Sequence, residues 1–173
     1  MNAMQMASEL TLYAIIIVAV VQDLRFMKIS NRLILVGLVL SLMFGIILGR
    51  TSQFLYILGN IIFPVITLYL LYLLGVLGAG DIKLFSVIGG FTDFKTLWQC
   101  MLAAFVAGAG IAVVRMICQK NLKNSLWRGF LYLQTLAKGE RYSYAKVCPK
   151  ENYMHFSVAI LLGLFAVKGK AFL

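Results

Sequence analysis

Residues 54–94 read FLYILGNIIFPVITLYLLYLLGVL, then GAGDIK, then LFSVIGGFTDF. The first part, residues 54–77, carries no charged side chain, and a helix of about 20 residues crosses a hydrocarbon layer about 30 Å thick. Within lipid every backbone N–H and C=O must be bonded internally, so a spanning segment is either a helix or part of a closed barrel. Barrel strands alternate polar and apolar positions over about 10 residues. This run does not alternate, so it reads as a membrane helix. Asp81 and Lys83 follow at once, at the mouth of a further apolar run.

The same pattern extends outward on both sides. Spans are expected near 8–25, 32–49, 54–77, 79–94, 97–118 and 153–169. The fourth is short and begins with two charges, which fits a re-entrant or tilted path; the sixth is also short. One long loop, 119–152, separates the last two. In it Leu122, Leu126, Phe130, Leu133 and Ala137 recur every three or four residues around Lys123, Asn124 and Arg128. That spacing predicts an amphipathic helix lying in the headgroup region. The expected fold is all-α: a polytopic bundle of about six transmembrane helices with an interfacial helix, forming one membrane-embedded domain over 1–173.

Composition agrees. Of 173 residues 62% are hydrophobic and 13% charged, against about 25% charged in soluble domains. A soluble globule of this size has no interior large enough for so much apolar surface. The net charge of +10 would suggest nucleic acid in a soluble protein. Here the basic residues sit between apolar runs and orient the chain by the positive-inside rule, so no nucleic-acid partner is expected. Residues 1–22 hold no Lys or Arg, which argues for an uncleaved first helix rather than a signal peptide. With both termini outside, 12 of the 16 Lys and Arg face the cytoplasm; Arg50, Lys95, Lys168 and Lys170 do not. The basic loop is suited to anionic lipid. Cys100, Cys118 and Cys148 form no C-x-x-C pair, so neither a zinc module nor a disulfide framework is indicated, and no cofactor is expected.

Carboxylates within spans are costly and are candidates for function. Glu9, Asp93, Glu140 and Glu151 fall at ends or in loops, which leaves Asp23 and Asp81. The chain crosses once before Asp23 and three times before Asp81, so both lie on one face, the cytoplasmic one. Two such carboxyls resist double ionisation, and a pair sharing one proton serves as general base and general acid together. Gly78 and Gly80, just before Asp81, are expected to let the backbone turn, to permit positive φ and to admit a substrate backbone. Lys83 either pairs with Asp81, orients the motif or serves only as an orienting charge. Asn31 is expected either to hydrogen-bond a loop near the site or, as the preferred reading, to cap the second span. His155, at a span boundary, is expected to be interfacial rather than catalytic.

Three segments carry a family resemblance: Asp23 followed by Ile29-Ser30-Asn31, then Gly78-Ala79-Gly80-Asp81-Ile82-Lys83, and last His155-Phe156-Ser157-Val158-Ala159-Ile160 through Gly163. Together they resemble the type IV prepilin peptidases, intramembrane aspartyl proteases with a G-x-G-D motif. Ser30 and His155 stand where prolines are usual. The paired C-x-x-C insertion of long members is missing, so N-methyltransferase activity is not expected. The closer likeness is to the short, peptidase-only form of tight-adherence pilus systems. The resemblance implies a bacterial inner-membrane hydrolase that removes a short basic leader from pilin-like precursors at the cytoplasmic face. Asp23 and Asp81 would be the catalytic pair, supported by Gly78, Gly80, Lys83 and Asn31, with water as nucleophile and no metal.

Two other functions fit intramembrane carboxylates. A presenilin-like protease also uses G-x-G-D, but Gln22 stands where that family has tyrosine before its first Asp. A transporter or channel subunit would use Asp23 and Asp81 as a proton or cation relay; no inverted repeat supports alternating access.

Overall fold

A computed structural model describes residues 3–48, 54–74, 76–118 and 155–169. Among them lie six helices and no strand: α1 (Ala3–Phe26), α2 (Asn31–Ile47), α3 (Phe54–Leu73), α4 (Ala79–Phe91), α5 (Phe94–Cys118) and α6 (Phe156–Lys168). The expected interfacial helix within 119–152 falls outside the described residues. By length and apolarity α1, α3 and residues Phe94–Val114 of α5 are sufficient to cross a membrane, while α2 and α6 are apolar but shorter. The protein is a helical membrane bundle.

α4 is the axis of this bundle. Its 13 residues extend about 20 Å at 1.5 Å per residue, less than a hydrocarbon layer. It compensates by being enclosed: every residue from Leu84 to Phe91 is buried. α1, α2, α3, α5 and α6 all pack against it. Around it α1 touches α2 and α6, α6 lies along α5, and α2 touches α3. Phe63 of α3 closes the ring against Phe94 and Trp98 of α5, and the Tyr56 hydroxyl accepts the Phe94 N–H at 3.1 Å.

Glycines let α4 come this close. Pro64 lies inside α3 and has no N–H to give to the carbonyl of Asn60, one turn earlier. Gly89 of α4 is seated against that carbonyl; a Cβ there would collide with the Asn60 oxygen and lie 2.9 Å from its carbonyl carbon. The Asn60 side chain, 3% exposed, donates to the Thr92 carbonyl at 3.2 Å. On the α2 side, Gly90 leaves room for Ser41 and Gly37 leaves room for Val87.

Helix ends differ from hydropathy in informative ways. α4 stops at Phe91 rather than near 94, because Asp93 begins the next helix. Its carboxylate accepts from Thr96 N at 3.2 Å and from Thr96 Oγ1 at 2.8 Å, an N-cap that also starts α5 at Phe94 instead of 97. Burial tends to raise the Asp93 pKa, but these bonds and the nearby Lys168 outweigh it and hold it below the usual carboxylate range. α3 ends at Leu73, short of 77, where Val76 and Leu77 N–H both turn back to the Leu71 carbonyl. α1 ends with Met27 in the left-handed region at φ 51°, its N–H donating to Asp23 O at 2.9 Å. The chain therefore reverses within four residues of Asp23.

Candidate active site

One end of the bundle gathers the C-terminus of α1 and the N-termini of α2, α4 and α6. The linker after α1 is folded by Gln22, whose Oε1 accepts the Ser30 N–H at 3.1 Å. Ile29 then passes over the start of α4: a Cβ on Gly80 would lie 3.1 Å from Ile29 Cδ1. Next to it, Lys83 Nζ donates to Asn31 Oδ1 at 2.8 Å. The Ile29–Asn31 and Gly78–Lys83 segments are thus two halves of one contact. Gly80→Val is expected to push Ile29 aside and lower activity at least tenfold, in line with the effect of displacing a site by about 1 Å. Ile29→Ala added to Gly80→Val is expected to recover much of it, read as cleavage rate in purified protein.

Two sequence expectations are corrected here. Asn31 is not the cap: Ser30 is the N-cap of α2, with extended φ −66° and ψ 128° and no side-chain cap bond, while Asn31 is the first helical residue. Its amide oxygen is directed to Lys83, so Lys83 joins the motifs. Nor do the motif glycines need positive φ. Gly78 has φ −77° and ψ 147°; what its missing side chain supplies is space, since a Cβ there would lie 3.1 Å from Asp81 Oδ2.

Asp23, near the C-terminus of α1, and Asp81, in the first turn of α4, both lie at this end. Asp81 is half-buried, with its Oδ2 beside Gly78. Asp23, on α1, is 15% exposed at its side chain. It is gripped from α6: Ser157 Oγ donates to Asp23 Oδ2 at 2.6 Å, and His155 Nδ1 lies 3.3 Å from the same oxygen. His155 is therefore a contact of Asp23 rather than only an interfacial residue. Ser157 was not among the sequence candidates; the one signal for it was its place in the third resemblance segment.

Phe156, between these two, fixes them. Its ring packs against Phe85 of α4 and Phe105 of α5, in space that Gly108 leaves open on α5. The other end of the bundle is different. There a cavity of about 370 Å³ lies among residues that include Gln5, Glu9, Asp93 and Lys168, with Lys168 Nζ 3.0 Å from Glu9 Oε1. It contains none of the predicted site residues. Among the described residues, no three His, Cys, Asp or Glu are grouped to hold a metal ion.

The fold and this site define a membrane-embedded helical protein with two carboxylates, Asp23 and Asp81, at one end of its bundle. Residues 10–113 match the type IV leader peptidase family, more than half of the chain, and the chain belongs to that family. It is accordingly a peptidase. No curated protein and no solved structure matches it.

Proposed function

We propose that this protein is an intramembrane aspartyl endopeptidase that removes the short basic leader of type IV pilin-like precursors. Asp23 and Asp81 are its catalytic residues; Gly78, Gly80, Lys83 and Asn31 hold them. The observation that carries this reading is that Asp23 and Asp81 lie at the same end of the bundle, in a chain of the leader peptidase family. One carboxyl takes a proton from water as the water oxygen bonds to the scissile carbonyl carbon, and the other gives its proton to the carbonyl oxygen. Collapse of the gem-diol then breaks the C–N bond. The leaving nitrogen takes one proton back, and a diol hydroxyl restores the other.

We place the protein in a bacterial inner membrane, as its family resemblance implies, folded as one domain; the charge distribution supports both termini outside and the site facing the cytoplasm. The test is cleavage by purified full-length protein in detergent. Its substrate is a pilin-like precursor with a short basic leader, a glycine at the junction and an apolar helix after it. One cut at the leader junction, unchanged by a chelator, is expected. Failure to cut, or cuts scattered through the apolar helix, would overturn the proposal.

A further inference from the structure

The two carboxylates are held differently. Asp81 lies beside Gly78 of its own motif, whereas Asp23 is held by two side chains at the start of α6, 132 and 134 residues further along the chain. Both meet the same oxygen, Oδ2. Ser157 is fully buried, at 0% exposure, so no bulk water competes for its hydroxyl. Ser157 lies in the first turn of α6 and donates across to another helix, at a distance typical of a strong bond to a carboxylate. The seat of Phe156 between Phe85 and Phe105 makes this geometry rigid. Residues 155–157 also lie beyond the family match at 10–113.

We propose that Ser157, assisted by His155, is a positioning residue that fixes Asp23 through Oδ2 and leaves Oδ1 as the base toward water, so that Asp23 is the base and Asp81 the acid of the pair. This rests on the aspartyl reading above. In the first step Asp23 Oδ1 takes a water proton while the hydroxyl oxygen adds to the carbonyl carbon, and Asp81 protonates the carbonyl oxygen. In the second step the C–N bond breaks, the nitrogen takes the proton from Asp23, and a diol hydroxyl proton returns to Asp81. Both carboxyls end as they began. Because Ser157 acts through Asp23 and does not touch substrate, its loss alters turnover rather than binding.

The experiment uses full-length protein in detergent with the same precursor, comparing Ser157→Ala, Ser157→Thr, His155→Ala and Asp23→Asn. Ser157→Ala is expected to lower kcat roughly 10- to 100-fold, the scale of a misplaced catalytic group, with KM within about twofold. Ser157→Thr keeps the hydroxyl and is expected to restore most of the rate, and the partly exposed His155→Ala to lower kcat several-fold with an unchanged melting temperature. The inference is overturned if Ser157→Ala and His155→Ala turn over like wild type, if KM rises with kcat intact, or if Thr at 157 is as poor as Ala. Should Ser157→Ala fail to fold, His155→Ala alone decides between several-fold loss and none. An inert wild type, or an active Asp23→Asn, would instead remove the aspartyl reading beneath it.

Discussion

Asp81→Asn is expected to reduce leader removal by roughly 10³-fold or more, and Asp23→Asn to do the same. Asn is nearly isosteric with Asp, so the contact with Gly78 and the acceptor for Ser157 both survive the change. What is lost is the ability to carry and release a proton, and acid–base catalysis of this kind contributes about 10²- to 10⁴-fold. Groups that act as one unit are not additive. The double variant is therefore expected to retain about the same residual rate as either single one. Cleavage rates of the three variants, with accumulation in the membrane and melting temperature measured alongside, provide the check. Full loss with normal accumulation is the expected result. A double variant far worse than both singles would mean that the two carboxylates contribute separately, and an active single variant would mean that its carboxylate has no part in the chemistry.

Gly89→Ala is expected to destabilise the bundle by about 3 kcal/mol, the upper part of the range for overpacking a filled core, and Gly89→Leu to abolish accumulation. The reason is the kind of atom that the new Cβ meets. At Gly89 it meets the Asn60 backbone, which cannot rotate away, so α3 and α4 must part and the Asn60–Thr92 bond breaks with them. Gly59 of α3 and Gly110 of α5 are controls in neighbouring membrane helices. A Cβ on either has nothing within 4 Å, and Ala there is expected to be neutral or to stabilise by up to about 1 kcal/mol through helix propensity. Thermal unfolding in detergent separates these outcomes. Equal melting temperatures for Gly89→Ala and Gly59→Ala would contradict the close crossing.

These glycines also illustrate what the sequence conceals. Gly59 and Gly89 sit in similar apolar surroundings, yet only one meets a neighbouring backbone, and spacing along the chain carries no record of that. The reading of a helical membrane protein from residues 54–77 stands, since hydropathy reports directly on transfer to lipid. Helix ends were less legible: an apolar run does not reveal that Asp93 caps α5 or that Leu77 turns back to Leu71. Asp23 and Asp81 stand out because charge is rare in such spans, and both lie at the same end of the bundle. Ser157 did not, because a serine in a membrane helix is commonplace and its partner is 134 residues away. Asn31 was assigned to a cap from residue preference alone, although Lys83, at a remote position, decides where its amide points.

The attachment of Asp23 to α6 also imposes an order on the making of the protein. Asp23 enters the membrane with the first helix, long before residues 155 and 157 have been translated. At about 5–20 residues per second a ribosome needs on the order of ten seconds to cover the 134 residues from Asp23 to Ser157. For the later part of that interval, once Asp81 has followed, both carboxylates are in place while the hydroxyl and imidazole that hold one of them do not yet exist. Docking of the last helix is thus the step that finishes the site, and a nascent chain stalled before it has its acidic residues in place without the grip on Asp23.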